Sequence, residues 1–462
     1  MKKLHYSGFF FMVLLLLCCA GNIFGQEILH LSPRDAVELA IRNNLNLQIA
    51  RLTLDNKQRK ADLVWNQFLP TISVSSTLAH SNWASAQPGF EAIATPPFIS
   101  ITSDPLPRWN LLGNFSASLD FSFALVAGIQ TIIYDYHAGV ATYERTRLQM
   151  ERDIRKTYNQ ILLLEENVAL LKESYDNAER QAAVAEANYR AGLVPRLTWL
   201  QAQVQVANLT PTITELENSL KALQASFAMT LGLPYDTQFA LEPLLEGDFE
   251  IPMDLAELIS RAASGRPDII ELQRNIVMLQ SARKATALQL YTPFLRFQWT
   301  LSSTFNPTLD PWKNNWFKNA NWRGGGNFSI TLGYSLNTLF PFTTQGQGLQ
   351  DLDNQLRSLY ITMTQAVMGT ELEIYTKVNS LQRTQATAEV QRAAVELAEL
   401  SYSLTEEAYR AGLQDFQTVQ NSALALRQAR AQLLVQQFNY LNDLIDLEYA
   451  IGVPFGTLSS RY

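Results

Sequence analysis

The residue types that carry most enzymatic and metal chemistry are sparse in this chain and poorly spaced for it. His30, His80 and His137 lie far apart and are never paired at ligand spacing, so each reads as a surface or interface residue. Both cysteines, Cys18 and Cys19, fall within the first 25 residues, so the rest of the chain has no thiolate nucleophile, disulfide or Cys-based metal site. Gly324-Gly-Gly326 lacks the Lys and Ser/Thr of a phosphate-binding loop and suits a tight turn at the start of a strand. No catalytic residue, cofactor or metal is expected, and the chain does not read as an enzyme.

The spacing that does carry information is a repeat. Tyr189-Arg-Ala-Gly-Leu193 recurs letter for letter as Tyr409-Arg-Ala-Gly-Leu413, 220 residues later. The same offset carries Leu231-Gly-Leu-Pro234 onto Ile451-Gly-Val-Pro454. A period near half the chain implies two copies of one large module rather than a solenoid of short repeats. In each pentapeptide a glycine follows a long helical stretch, where a residue at positive φ closes a helix. Arg190 and Arg410 stand in the last turns, where a cation suits the helix dipole. The chemistry on offer is therefore helix reversal.

The elements that must position these turns begin after an export signal. Lys2 and Lys3, an apolar run from Phe9 to Leu17 and small residues beyond it predict a signal peptide over 1–25, cleaved after Gly25. Lipid attachment at Cys18 or Cys19 is the alternative, disfavoured because Leu17 and Cys18 are poor residues to precede a lipidated cysteine. Loss of Lys2 and Lys3 lowers the basic count from 36 to 34 against 43 acidic residues, a net charge of −9. An acidic chain without basic clusters argues against nucleic acid as a partner.

Ser32-Pro-Arg-Asp35 is a helix-start signature, and a second helical stretch runs to about Trp65. The period then changes from helical to two. Strands are predicted over about 71–79 and 113–124, and in the second module over about 294–303 and 326–337. Phe115, Ala117, Leu119, Phe121 and Phe123 alternate with Ser116, Ser118, Asp120 and Ser122. Leu295, Phe297, Trp299 and Leu301 alternate with Arg296, Gln298, Thr300 and Ser302. Such strands fit either a half-buried sheet or a membrane barrel with lipid on the apolar face and water on the other. In the barrel, Asp120, Arg296 and Gln298 face the lumen, where the two charges either tune ion passage or are solvated bystanders. Because hydrocarbon tolerates no open sheet edge and closed barrels need about 8 strands or more, four strands per chain require several copies. The strand connections, about 79–112 and 303–323, read as loops, with Pro96, Pro97 and Pro105 in the first and Trp312, Trp316 and Trp322 in the second.

Long helices follow each strand pair, over 128–190 and 346–410. Ile154, Ile161, Val168, Tyr175, Ala182 and Tyr189 keep a seven-residue spacing, and adding 220 lands on Ile374, Leu381, Ala388, Val395, Tyr402 and Tyr409. A helix of about 63 residues is about 95 Å long at 1.5 Å per residue. Tip turns at 189–195 and 409–415 lead to return helices over 195–231 and 415–451. Pro211 is expected to kink the first. The first repeat is thus set at 26–231, an intervening segment at 232–266, the second repeat at 267–453 and a tail at 454–462. By composition alone the helices fit either a cylinder or a solid coiled-coil stalk.

The order helix, strand, strand, long helix, Tyr-x-x-Gly turn, helix, Leu-Gly-x-Pro, given twice between Gln26 and Val453, resembles the TolC-type outer membrane efflux proteins. That resemblance implies a homotrimer whose four strands per chain close a 12-stranded barrel in outer membrane lipid. It implies an α-helical barrel in the periplasm, and an equatorial position for Leu231–Asp268. It also implies a passive exit duct of a tripartite efflux or type I secretion system, served by a periplasmic adaptor and an inner-membrane pump. The adaptor-contacting tip would comprise Tyr189, Arg190, Gly192, Leu193, Tyr409, Arg410, Gly412 and Leu413. Similar proteins can carry acidic residues six and nine positions beyond the turn glycine. Here those positions are Thr198 and Gln201 in one tip and Thr418 and Asn421 in the other, with Asp415 the nearby acid of the second. An acidic gate is therefore not expected, and closure would rest on Arg190, Arg410, Asp415 and neighbouring polar side chains. The alternative function is a structural stalk or surface protein anchored by a barrel, without transport.

Overall fold

The computed structural model describes residues 29–80, 86–92, 99–105, 109–243, 258–260, 262, 265–305, 322–336, 340 and 342–458. The signal region, Pro96, Pro97, Trp312, Trp316 and the tail from 459 lie outside them. The chain is mainly helical with a small β part and divides into two compact units. One comprises residues up to 53, 140–272 and 362 onward; the other comprises 54–139 and 273–361.

In the first unit, β1 (Leu29–Leu31) pairs in parallel with β6 (Phe239–Leu241). Helix α1 (Pro33–Asn43) starts as its sequence dictates. The Ser32 hydroxyl accepts from the Asp35 backbone N–H, the Asp35 carboxylate accepts from the Ser32 backbone, and Pro33 takes the first turn. Its buried face, Ala36, Val37 and Ala40, joins Ile154, Tyr158, Ile161 and Phe227 in one core. The Tyr158 hydroxyl lies between the carbonyls of Leu31 and Glu242, 2.9 and 2.8 Å away, and so ties its helix, α3 (Phe123–Arg190), to both short strands. Asn44 separates α1 from α2 (Leu45–Asp62): its amide donates to the Thr230 carbonyl and its oxygen accepts from the Leu47 N–H.

Four long helices dominate: α3 (Phe123–Arg190), α4 (Arg196–Thr230), α6 (Thr344–Arg410) and α7 (Phe416–Ile451). Helix α4 continues through Pro211. Polar contacts give their neighbours within the first unit. Gln224 of α4 donates to Glu165 of α3, Asn159 of α3 donates to Asn442 of α7, and Lys377 of α6 pairs with Asp443 of α7 at 2.7 Å. The order is therefore α4, α3, α7, α6.

In the second unit, β2 (Thr71–His80), β5 (Trp109–Ser122), β7 (Phe294–Phe305) and β8 (Trp322–Gly333) form an antiparallel sheet in that order. Helix α5 (Pro267–Tyr291) leads into β7. The strand predicted to end at 124 stops at Ser122, whose hydroxyl accepts from the Leu125 N–H and so starts α3 at Phe123 rather than at 128. The strand predicted over 326–337 runs from Trp322 to Gly333, leaving Tyr334 and Leu336 beyond it. The connection read as a loop contains a further hairpin, β3 (Ala86–Ala92) with β4 (Ile99–Pro105).

An ionic cluster crosses the core of the first unit. Asp446 of α7 accepts from Lys156 at 2.9 Å and from Lys377 at 2.8 Å, and Lys377 also reaches Asp443. Burial alone raises the Asp446 pKa, but the two lysines outweigh it and hold the carboxyl below its usual range. Burial lowers the Lys377 pKa, but both aspartates outweigh it and hold the ammonium above its usual range. Stability from Asp446 is thus present above its unfolded pKa and lost as pH falls through the depressed folded value. That from Lys377 is present below its unfolded pKa and lost as pH rises through the elevated one. Asp446→Asn is expected to cost about 1–3 kcal/mol near neutrality, less than a fully buried pair because Lys156 is partly solvated. It should also flatten the acid limb of the melting temperature against pH in detergent; an unchanged acid limb would assign that loss to other carboxylates.

Candidate functional sites: the helical tips and the two-faced sheet

Both tip turns follow directly from the repeated pentapeptide. Gly192 has φ 73° and Gly412 φ 74°. In the first turn, Gly192 N–H donates to the Tyr189 carbonyl and Leu193 N–H to that of Asn188, each at 2.9 Å. In the second, Gly412 donates to Tyr409 and Leu413 to Ala408. These paired bonds satisfy the orphan carbonyls of a helix end around a left-handed residue. The same arrangement closes α4 at Gly232 and α7 at Gly452. The reasons for glycine differ. Nothing lies near where a Cβ would project at Gly192 or Gly412, so φ alone selects glycine there. A Cβ at Gly232 would run into the Asn43 backbone, and one at Gly452 into that of Gly265.

Around the first turn, Tyr189 stacks on Trp199 with centroids 5.5 Å apart. In the second, Tyr409 meets Phe416 at 5.9 Å. Phe416 also joins Ala185 and Ala202 in a small buried cluster, which brings the two turns together. Neither Trp199 nor Phe416 was singled out from sequence. The usable signal was an aromatic residue on each side of each five-residue turn, which a helical hairpin places face to face. Leu193 and Leu413 are exposed.

The polar tip residues are engaged locally. Arg190 pairs with Glu186 and Arg410 with Glu406, each one turn back on its own helix. Asp415 caps α7: its carboxylate accepts from the Thr418 N–H at 2.8 Å and from the Thr418 hydroxyl. Those bonds hold its pKa below the usual range. Asn421 accepts from Gln417. Thr198 lies in the first turn of α4, its N–H donating to the Pro195 carbonyl, and Gln201 is exposed one turn on. Higher on the helices, Arg430 of α7 bridges Glu173 of α3 at 3.1 Å and Glu399 of α6 at 2.7 Å. That bridge was not foreseen because its partners are 257 and 31 residues away.

In the sheet, strand register sorts the side chains into two faces. Ile72, Ala117, Trp299 and Phe328 lie opposite one another across four strands, as do Phe297 and Ile330, and Leu295 and Leu332, on the same face. The other face carries Ser73 and Ser116, Ser118 and Gln298 beside Ser329, and Asp120 beside Arg296. The guanidinium donates twice to the Asp120 carboxylate, at 2.6 and 2.9 Å. The apolar face is bare: Val74 is 78% exposed and Leu332 74%. One edge of β2 and one of β8 pair with no strand among the described residues.

No metal-holding group of three or more His, Cys, Asp or Glu occurs among the described residues, and no helix there is long and apolar enough to cross a membrane. The family model described as outer membrane efflux protein matches residues 36–233. The chain is 25% identical over 315 residues to the pyoverdine export outer membrane protein OpmQ of Pseudomonas aeruginosa, a match covering 65% of this chain and 62% of that relative. Its fold is similar to that of CusC, at TM-score 0.71 and 15% identity over 91% of this chain and 92% of the other. It is also similar to that of the outer membrane protein VceC of Vibrio cholerae, at TM-score 0.69 and 15% identity over 92% and 96%.

The two glycine classes predict different costs. Gly192→Ala should cost about 1–2 kcal/mol, the penalty of a left-handed backbone, read as faster hydrogen exchange confined to the turn. Gly452→Ala adds a backbone collision and should lower the global melting temperature by more than twice as much. Equal losses at the two sites would refute the distinction.

Proposed function

We propose that the chain, whose residues 36–233 match the outer membrane efflux protein family model, is a member of that family and the trimeric exit duct of a tripartite efflux or type I secretion system. It resides in the outer membrane and extends into the periplasm. The observation that carries the proposal is the sheet: one face apolar and bare, the other polar, with edges unpaired among the described residues, joined through Ser122 directly to a 68-residue helix. An apolar sheet face left in water, together with two open edges, would invite aggregation. In lipid the apolar face is satisfied, but the edges must be closed.

Closure by β8 of one copy against β2 of the next, three times, gives a 12-stranded barrel, within the range of known transmembrane barrels. The hydroxyl rows and the Asp120–Arg296 pair then line its water, with Gln298. The two tip turns, presenting Leu193 and Leu413 beside Tyr189, Arg190, Gly192, Tyr409, Arg410 and Gly412, form the periplasmic mouth that docks an adaptor linked to an inner-membrane pump. Thr198, Gln201, Asp415, Thr418 and Asn421 surround that mouth. Conduction is passive, and the pump selects among solutes or polypeptides; the export role named for the Pseudomonas relative favours solutes. The domain boundaries follow the same reading: signal peptide 1–25, repeats at 26–231 and 267–453, and an equatorial segment at 232–266. A barrel-anchored stalk without transport would have no use for a polar sheet face carrying a buttressed ion pair.

In planar bilayers the purified protein should give discrete conductance steps. Arg296→Gln should shift the reversal potential in a salt gradient toward cation selectivity and Asp120→Asn toward anion selectivity. Absence of current would contradict the duct. Leu193→Cys and Leu413→Cys, crosslinked in cells, should capture an inner-membrane-anchored adaptor, and capture of outer-surface proteins instead would place the tips outside the cell.

A further inference from the structure

Two polar stripes line one cleft of the first unit. Lys377, Ser380 and Thr384 on α6, and Gln436, Asn439 and Asp443 on α7, keep the same spacing of three and then four residues. Coiled-coil seams use that spacing for apolar side chains. Here it is polar throughout, and the stripes border a cleft of about 530 Å³ that Lys156 of α3 and Arg383 of α6 also line. The 220-residue offset indicates that the fold has no need of these charges. The equivalent positions of the first repeat are Thr157, Gln160 and Leu164 on α3 and Leu216, Ser219 and Leu223 on α4, with Leu163 where the second repeat has Arg383. That seam is uncharged, and Leu163 and Leu223 pack against a buried core.

Three cations meet two carboxylates in the cleft. Asp446 accepts from Lys156 and Lys377 at 2.9 and 2.8 Å, and Asp443 accepts from Lys377 at 2.7 Å. The two lysines and two aspartates neutralise one another, which leaves Arg383 as the surplus charge. Its guanidinium forms no ion pair among the described residues. The cleft is therefore net positive in a chain whose overall charge is −7. Nine residues, about 2.5 turns, separate Arg383 from the buried Ile374, so Arg383 stands on the side of α6 opposite that core. Lys156 is two residues from both Ile154 and Tyr158 and lies on the far side of α3 from theirs.

We propose that this cleft is a station for carboxylate-bearing polar solutes in transit, received by the Arg383 guanidinium. The proposal rests on the duct reading, in which the equatorial segment wraps the outside of the helices and the cleft, turned away from the core, faces the conducted water. A guanidinium presents parallel N–H groups that match a carboxylate two to two. The side-chain amides of Gln436 and Asn439, which border the same cleft, offer donors and acceptors to the hydroxyl and amide groups of such a solute. The Lys–Asp cluster beneath keeps the cleft polar without competing for Arg383, since each aspartate is already held by a lysine. Arg383 is itself exposed, which suits brief capture and release.

Citrate, a small tricarboxylate, serves as the probe, and sorbitol, comparably hydroxylated but uncharged, as its control. Calorimetric titration of the purified full chain should show citrate binding and no sorbitol binding. Arg383→Gln should leave the melting temperature unchanged and weaken citrate about tenfold, the effect of losing one charged hydrogen-bonded partner. Arg383→Lys keeps the charge without the fork and should fall between the two. Asp443→Asn frees Lys377 from one of its partners and should tighten citrate binding, a gain that a purely structural role for the cluster would not give. In planar bilayers citrate should interrupt the current of the unaltered protein more often than that of Arg383→Gln. Citrate binding that is absent, that survives Arg383→Gln, or that sorbitol matches would overturn the station, while a steady current leaves the duct standing. Citrate bound through Arg383 by a protein that passes no current would overturn the duct and leave the anion site.

Discussion

An antiparallel sheet with both edges open cannot rest in hydrocarbon, because each unpaired backbone N–H and C=O there costs several kcal/mol. This constraint organises the chain. The apolar face running through Ile72, Trp299, Phe328 and Leu332 excludes water as a comfortable solvent, and the edges of β2 and β8 exclude a solitary copy in lipid. If the sheet lies in lipid, as proposed, assembly becomes a condition of that state. Helix α3 shares in that requirement, since it begins at the residue after β5 ends.

Two kinds of adhesion follow, and the sequence separates them. Inside the chain, helices are locked by specific polar contacts: Asp446 between two lysines, Arg430 between two glutamates, and Asn159 on Asn442. Such contacts fix register, since a partly buried charge out of place is costly. The long helices also carry exposed aliphatic side chains, among them Val390, Leu397 and Leu400.

Much of this was legible in the residues. Period-two alternation located the strands, heptad spacing located the long helices, and Gly192 and Gly412 located the reversals, because each signal is local and dictated by backbone geometry. The 220-residue offset between the two pentapeptides is itself a property of the sequence. Boundaries were less legible: Ser122 had to be recognised as a helix cap, not as one more polar strand position, to place the start of α3. The β3–β4 hairpin lies in the connection read as a loop, where prolines such as Pro105 argue against a strand. At the tips, the sequence identified the turn residues but not what holds the turns together. The Tyr189–Trp199 stack and the seating of Phe416 on Ala185 and Ala202 depend on which helix faces meet, which spacing along one chain does not state.

Closure of the sheet between copies is what the proposed duct requires. Electron cryo-microscopy of the protein in lipid nanodiscs tests this most directly, by counting subunits and strands in one image. The predicted result is a three-fold particle with 12 strands in the membrane, β8 of each subunit hydrogen-bonded to β2 of the next. A particle with another symmetry, or one in which the sheet lies outside the bilayer, would contradict it.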